Sequence, residues 1–422
     1  MKILHVCQNY YPSKGGPQYT LKHLSEKLVE YYGDEVTVCT TDSLYNPESA
    51  LYKRIVPVRE TLNAVKINRL PFRRWHYPLI KYVNKAAIKV TRNALPEHIT
   101  AMRWDVYSPA IKKMMASTTA DVIMGTTINY DFCNYPVWRN AYPNPRPFVI
   151  YGSLHLHKSY DYNDTSIKKA RLCDCYIANT DYERDVLIHK YGVEPGKIVT
   201  IGTGIDVAAM DCREEEVALF RKQHGIADDD IILGFVGRLV KGKGVALLLG
   251  LIRNLYKENS KIKLLLAGAS TDYVPVIKEA MHKEGLPIIL IENFAEGKKP
   301  VIYNAMDIFI LPSQSESFGV VFLEAWACKK PVVGASMGAT ASLLNDGTDS
   351  FLFDLDNMPE LENKINMLAA SAELRKVMGE NGYKKASRQF SWPSIVEGYR
   401  NAYLLGIENF KKQASLNYLS EK

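Results

Sequence analysis

Short apolar runs alternate with longer amphipathic segments along almost the whole chain, and this alternation constrains the fold more than any other feature. The short runs are rich in Val, Ile and Leu and predict buried strands. The segments between them carry apolar residues three and four positions apart, which predicts helices. Strands that alternate with helices are typical of α/β layers built around parallel sheets. We therefore expect an α/β protein.

The predicted strands fall into two series. The first comprises residues 2–7, 35–40, 65–69, 121–125, 148–153 and 175–178; the second comprises 231–236, 263–267, 287–291, 307–311 and 331–334. A segment containing Gly202 and Gly204 separates them and suits a hinge. We predict two Rossmann-like domains facing a cleft, over residues 1–203 and 204–388. Residues 389–422 are expected to form a C-terminal helix that crosses back to the first domain.

Composition excludes several classes of protein. With 47% hydrophobic and 23% charged residues, the composition is that of an ordinary globular protein, and 422 residues are enough for two or three domains. No apolar run approaches the ~18 residues of a membrane span. The seven cysteines are scattered, so free thiols in a cytoplasmic protein are the expectation. Asp-x-Asp patterns occur at 354–356 and 228–230, where turn chemistry is favoured over metal binding.

Two glutamates eight residues apart mark a candidate binding site. Glu316 follows the predicted strand 307–311, and Glu324 falls in the first turns of a helix predicted over 320–328. Open α/β sheets bind ligands at the carboxyl ends of their strands, beside helix N-termini. Carboxylates there accept hydrogen bonds from sugar hydroxyls. The spacing therefore favours a polyol attached to an anionic group, such as a nucleotide sugar.

A basic loop follows the first strand of the second series. It reads Gly237-Arg238-Leu239-Val240-Lys241-Gly242-Lys243-Gly244. Arg238 and Lys243 would stabilise the charge that develops on a departing diphosphate. Lys241 is the cation expected to point into solvent. A solvated basic turn is the alternative interpretation.

Two further strand ends carry candidates in the first half. Gly15 and Gly16 precede a helix, so the backbone there could approach an anion at the helix N-terminus. His155 and His157 follow the strand 148–153, and either could face the reacting sugar. Two histidines without a third ligand are weak evidence for a metal, and no metal is expected.

Positive charge is concentrated in one stretch of the first half. Between residues 51 and 113, seven Lys and seven Arg oppose three acidic residues, which gives +11; the chain as a whole carries +7, so the remainder sums to −4. A helix predicted over 78–94 has a cationic stripe and an opposite apolar face, and it follows a basic aromatic cluster. This pattern predicts a peripheral contact with an anionic membrane surface through Arg73, Arg74, Trp75, Lys81, Lys85, Lys89 and Arg92. An ordinary surface helix is the alternative, and nothing favours nucleic acid.

These motifs together resemble the retaining GT-B glycosyltransferases of family 4, the group 1 glycosyl transferases. The resemblance rests on the basic loop, on Glu316-x7-Glu324 with its Ser317-Phe318-Gly319 core, and on the Asn179-Thr180-x-x-Glu183-Arg184 run. It implies that Arg238, Lys243, Glu316 and His155 act at the reaction centre. The donor-binding residues it implies are Gly15, Gly16, Gly237, Ser317, Phe318, Gly319, Val320, Glu324, Asn293 and Phe294.

The resemblance implies a metal-independent, cofactor-free hexosyltransferase. It would move a sugar from a nucleoside diphosphate sugar to a glycan or lipid-linked acceptor with retention of configuration, in cell-surface polysaccharide or glycolipid synthesis. The expected location is the cytoplasm or the inner face of a membrane. A non-catalytic GT-B protein that binds a nucleotide or glycan, or that supports a partner, is the alternative. Another enzyme class on this architecture, such as an epimerase or phosphorylase, is a further one.

Overall fold

The computed structural model describes residues 1–13, 15–44, 53–71, 76–95, 108–156 and 164–420. Contacts divide the chain into two compact units. The first contains residues 1–154, 158–202 and 395–422, and the second contains 155–157 and 203–394. The predicted residues Arg73, Arg74, Trp75 and His157 lie outside the described ranges.

The first unit is built on an eight-stranded sheet in the order β3-β4-β2-β1-β5-β6-β7-β8. The strands are β1 (Lys2–Val6), β2 (Glu35–Thr41), β3 (Arg59–Leu62), β4 (Val65–Leu70), β5 (Val122–Thr126), β6 (Phe148–Tyr151), β7 (Cys175–Ala178) and β8 (Ile198–Thr200). All neighbours pair in parallel except β3 and β4. The central strands are buried along their length, as sheets covered on both faces require.

The helices of the first unit begin with α1 (Gly16–Tyr32), α2 (His76–Thr91) and α3 (Pro109–Ser117). They continue with α4 (Tyr135–Trp138), α5 (Asp164–Leu172) and α6 (Asp181–Asp185). The C-terminal helix spans Trp392–Ser420, and contacts place its residues from 395 onward in this unit. Its Tyr403 is fully buried and its hydroxyl lies 2.9 Å from His5 Nε2 on β1.

The second unit has a six-stranded parallel sheet in the order β11-β10-β9-β12-β13-β14. Its strands are β9 (Ile231–Val236), β10 (Ile262–Gly268), β11 (Ile288–Glu292), β12 (Ile308–Leu311), β13 (Val332–Ala335) and β14 (Ser350–Phe353). Its helices are α7 (Glu214–Gln223), α8 (Val245–Glu258), α9 (Val274–Lys283), α10 (Lys299–Asn304), α11 (Val320–Ala327), α12 (Gly338–Leu343), α13 (Met358–Ala370) and α14 (Ala372–Gln389). The C-terminal helix is α15.

The predicted alternation is confirmed, since each strand run from the sequence coincides with a strand of the structure to within a few residues. Three strands were missed: β3, β8 and β14. β3 reads Arg-Glu-Thr-Leu and β8 has only three residues, so neither carries a buried apolar run. All three lie at the edge of a sheet, where a strand pairs with a single neighbour and can form without a strong apolar pattern in its sequence.

Candidate active site

Two loops meet at the carboxyl ends of β9 and β12 in the second unit, and glycine makes the meeting possible. Gly244 has φ 84°, and a Cβ there would lie 2.2 Å from the carbonyl oxygen of Pro312. A side chain at 244 would therefore separate the basic loop from the loop that carries Glu316. Gly237 is packed as closely, since a Cβ on Gly268 would lie 1.7 Å from its carbonyl oxygen.

This close approach joins the two predicted site residues Lys243 and Glu316. Lys243 Nζ lies 2.6 Å from Glu316 Oε1, and the side chains are 19% and 10% exposed. Such a charge-assisted hydrogen bond fixes both groups in a partly dry site, where it is stronger than on an open surface. Arg238 and Lys241 lie in the basic loop after β9, and both are exposed; Lys241 is the cation that was predicted to be solvated.

The loop after Glu316 ends in a helix N-terminus. Gly319 caps α11 with φ 100° and has no side chain to occupy the free N–H groups of the first turn. The Phe318 side chain is buried and meets the ring of Phe390 edge-on at 5.6 Å, so only its backbone is available to a ligand. Ser317 and Val320 are half-buried beside it. These residues form a site suited to an anion.

Glu324 lies inside α11 and is nearly buried, with partners that the sequence analysis did not identify. Its Oε1 accepts a hydrogen bond from Lys299 Nζ at 2.7 Å, and its Oε2 accepts one from the Tyr303 hydroxyl at 2.7 Å. Burial alone would lower the pKa of Lys299, but the carboxylates of Glu324 and Glu296 outweigh it and raise that pKa. Lys299 therefore stays charged. No sequence motif marks it, because its partner is 25 residues away in the chain.

The predicted Asn293 and Phe294 follow β11. Asn293 has φ 53°, and its side-chain oxygen accepts a hydrogen bond from Ser270 N at 3.0 Å. Phe294 packs against the core of the second unit. Both residues thus have structural partners at the strand end.

His155 belongs by its contacts to the second unit. Loss of hydration lowers the pKa of His155 below its ordinary value. The cations Lys243 and Arg238 act in the same direction, and Glu316 acts against them. The imidazole is therefore expected to be neutral near pH 7, and its ring remains exposed enough to contact a ligand.

In the first unit, Gly15 and Gly16 are exposed at the start of α1. Pro17 follows at the start of the helix, where its missing N–H costs nothing. A Cβ on Gly15 would lie only 2.3 Å from the side-chain oxygen of Gln18. Glycine therefore leaves room there for a polar side chain.

The cationic helix α2 is exposed on more than one face. Lys81, Lys85 and Lys89 are exposed on α2, as predicted for a cationic stripe. Arg92, which was predicted inside the helix, follows its last residue with φ 60° and is exposed too. On the face expected to be apolar, Ile80 is buried, but Val83 is 44% and Val90 82% exposed. Leu79, Tyr82 and Ile88 are exposed too. The described part of α2 thus presents apolar and basic side chains together to solvent.

Among the residues that the structure describes, no three His, Cys, Asp or Glu side chains gather in a way that would hold a metal ion. No helix within the same ranges is both long and apolar enough to cross a membrane.

Solved structures share this architecture along nearly the full chain. HepE from Anabaena, in complex with UDP and glucose, is 20% identical with a TM-score of 0.68, covering 95% of this chain and 98% of that one. Sucrose-phosphate synthase from Thermosynechococcus elongatus is 17% identical with a TM-score of 0.70, covering 96% and 98%. Two parallel α/β units and these neighbours define a GT-B fold, as predicted.

Family models match both halves. Residues 216–385 match "Glycosyl transferases group 1", and residues 14–209 match "Glycosyltransferase Family 4". The chain belongs to the group 1, family 4 glycosyltransferases.

Curated relatives align with part of the chain. D-inositol 3-phosphate glycosyltransferase 2 of Catenulispora acidiphila is 30% identical over 248 residues, or 56% of this chain and 57% of that protein. D-inositol 3-phosphate glycosyltransferase of Thermobifida fusca is 31% identical over 242 residues, or 55% of each chain. The chain spans about half the length of these relatives.

Proposed function

We propose that this protein transfers a hexose-type sugar from a nucleoside diphosphate sugar to a glycan or lipid-linked acceptor, with retention of configuration and without a metal. Family membership supports sugar transfer as the reaction class. The observation that carries the proposal is the Lys243–Glu316 pair, set between two strand ends and the N-terminus of α11.

The chemistry follows from charge. Breaking the bond between sugar and diphosphate leaves negative charge on the phosphate oxygens. Lys243, Arg238 and the free N–H groups of α11 would stabilise that charge without Mg²⁺. Glu316 holds Lys243 in place through one oxygen, and its second oxygen would accept a sugar hydroxyl. Glu324, held by Lys299 and Tyr303, would accept hydrogen bonds from the ribose.

His155 has the properties of a neutral hydrogen-bonding group at the reaction centre. Its lowered pKa keeps it uncharged near pH 7, so it would not repel the cations that bind the diphosphate. A neutral imidazole would orient the transferring sugar by hydrogen bonding.

Donor specificity can be tested directly. UDP, GDP, ADP and dTDP sugars are scored by thermal shift and by slow donor hydrolysis. We expect one base to shift the melting temperature and its sugar to be hydrolysed. HepE was crystallised with UDP-glucose, which makes UDP-glucose the first donor to try. No shift and no hydrolysis with any donor would favour a non-catalytic GT-B protein.

The Glu316→Gln variant tests the site. It should abolish turnover, because Glu316 no longer holds a sugar hydroxyl or fixes Lys243. It should leave binding of the bare nucleotide intact, since Lys243 remains to contact the diphosphate. The matched control is Lys241→Gln, which removes an exposed charge from the neighbouring loop. Unchanged turnover in Glu316→Gln would contradict the assignment.

The acceptor half of the proposal involves a membrane. Exposed cations and exposed apolar side chains share α2, and each Lys or Arg near an anionic surface contributes about 1 kcal/mol. We propose that α2 docks on the anionic inner face of a membrane in cell-surface polysaccharide or glycolipid synthesis.

Liposome flotation tests this docking. At low salt the protein should float with vesicles that contain phosphatidylserine and not with phosphatidylcholine alone. Changing Lys81, Lys85, Lys89 and Arg92 to Gln should abolish flotation. The control changes four exposed lysines elsewhere, Lys222, Lys257, Lys376 and Lys411, to Gln. Equal loss in both variants would mean that net charge, and not α2, carries the binding.

A further inference from the structure

A buried polar network lies under the turn that leads into His155. The turn comprises Gly152, Ser153 and Leu154, directly after β6. Ser153 has φ 56°, a left-handed conformation that a non-glycine residue adopts only when its surroundings hold it. The partners that hold it come from the start of the short helix α6, after β7.

Glu183 is the centre of the network. Its side chain is 1% exposed. Its Oε1 accepts hydrogen bonds from the Tyr176 hydroxyl at 2.8 Å and from Leu154 N at 3.3 Å. Its Oε2 accepts one from Asn179 N at 2.9 Å. All three partners donate, so the carboxylate is the one acceptor that this set of groups shares.

Asn179 and Gly152 complete the arrangement. Asn179 Nδ2 donates to Ser153 Oγ at 3.1 Å, on the residue with the positive φ. A Cβ on Gly152 would lie 1.9 Å from the Tyr176 hydroxyl and 2.3 Å from Glu183 Oε1. The turn thus lies directly against the carboxylate, with no room for a side chain between them. Thr180 caps α6 by accepting from Glu183 N at 3.2 Å, which fixes the residue that carries the carboxylate.

We propose that Asn179 and Glu183 are positioning residues that hold the Gly152–Leu154 turn and thereby set the place of His155 at the reaction centre. This inference rests on the proposed role of His155. The Asn179 and Glu183 side chains are both buried, so they would act on the reaction through the turn and not by contact with a substrate. The network's contribution is geometric, and a displacement of about 1 Å in a reacting group costs up to roughly 100-fold in rate.

The protonation state of Glu183 makes the network sensitive to pH. Burial raises the pKa of Glu183 to about 7, although hydrogen bonds from Asn179, Tyr176 and Leu154 oppose that effect. The titratable groups that face it are Tyr176 on β7, Tyr151 on β6 and Tyr399 on α15. A protonated Glu183 would carry an O–H group that faces other hydrogen-bond donors and would accept their hydrogen bonds less well. The turn is therefore held best above about pH 7, where the carboxylate is ionised.

The first experiment reads His155 without any ligand. The nine histidines are labelled selectively, and the His155 imidazole signal is assigned from its loss in His155→Gln. In the wild type it should titrate below 6.5. In Glu183→Gln its chemical shifts should move and its pKa should rise towards 6.5, because the ring leaves the partly dehydrated position that lowers its pKa.

Two further variants separate a displacement of His155 from a general disturbance of the fold. Asp185→Asn changes an exposed carboxylate on the same helix and should leave the His155 signal unchanged. Asn179→Ala removes the bond to Ser153 and keeps the backbone bond to Glu183, so it should move His155 even if Glu183→Gln folds poorly. Signals and titrations of His155 that superimpose on the wild type in both network variants would overturn the proposal.

The second experiment applies once a donor is turned over. Glu183→Gln should lower kcat for transfer roughly 10- to 100-fold, with KM for the donor within about threefold, since the donor residues lie in the second unit. The kcat of the wild type should fall as pH drops below about 7, and the variant should lack that limb. If no donor is turned over, the proposed function fails, and the His155 signal still decides this inference. Equal changes in kcat and KM, with the limb retained, would contradict it.

Discussion

At the scale of single residues, the site depends on which cation reaches which carboxylate. Sequence spacing predicted Glu316, Glu324, Arg238 and Lys243 as site residues, and the structure pairs Lys243 with Glu316. The structure pairs Glu324 with Lys299, a residue that no sequence motif marks. Ion pairs between distant segments have no period in the sequence, so reading residue types along the chain does not find them.

Lys299→Met should destabilise the protein, because it leaves the Glu324 carboxylate buried without its cation. Removing one partner of a buried pair costs about 3–5 kcal/mol, and we expect about 2 kcal/mol because Lys299 is 21% exposed. The midpoint of urea denaturation, followed by tryptophan fluorescence, measures the change.

The control for this variant is Lys283→Met, whose pair with Glu279 is 76% and 57% exposed. That substitution should change the midpoint little, since exposed pairs contribute about 0–1 kcal/mol. Equal midpoint shifts in the two variants would contradict a structural role for Lys299.

At the scale of elements, strand ends and helix starts decide what the site presents. The sequence placed α11 correctly and put Glu316 in the loop before it. The sequence predicted the exposed cations of α2 and an opposite apolar face, but not whether that apolar face is covered; its Val83 and Val90 are exposed. A helical period shows that one side of a helix is apolar, but not whether anything covers that side.

Gly319→Ala tests the start of α11. A Cβ there would lie 2.6 Å from Phe322 Cδ2, and alanine at φ 100° is strained. Relief of the clash would move the first turn and its free N–H groups. We expect nucleotide affinity, measured by calorimetry, to fall at least tenfold, which corresponds to about 1.4 kcal/mol.

Gly347→Ala serves as the control for that prediction. It lies in the same unit with φ 73° and open space around it, so the substitution adds strain without a clash. Nucleotide affinity should be retained. A similar loss in both variants would mean that general destabilisation, and not the helix start, is responsible.

At the scale of the whole molecule, buried titratable groups link the first unit to pH. Burial lowers the pKa of His5 to about 3, so its contribution to stability is lost as pH falls from 6.5 towards 3. Glu183 acts with the opposite sign. Its folded pKa is about 7 against an ordinary 4.5, so the folded state keeps a proton that the unfolded state has released. Stability from Glu183 is therefore lost as pH rises from 4.5 to 7.

Glu183→Gln removes this second effect. The free energy of unfolding of the variant, relative to the wild type, should increase as pH rises from 4.5 to 7, by up to about 1.4 kcal/mol per pH unit. Urea denaturation at pH 5 and pH 7.5 measures the difference, whatever constant offset the lost hydrogen bonds add. Asp185→Asn should show no comparable slope. A difference that is flat or falling with pH would contradict a raised pKa at Glu183.

The sequence by itself determined the α/β class, the two series of strands, and the loops that carry Arg238, Lys243 and Glu316. These follow from local periodicity and from residues adjacent in the chain, which fix short-range structure. Tertiary structure alone decided that Lys299 holds Glu324, that Tyr403 reaches His5 from the far end of the chain, and that Glu183 lies under the turn before His155. Each of these pairs a buried polar group with a partner from a distant segment. Burial demands such a partner, and only the folded arrangement of the segments supplies it.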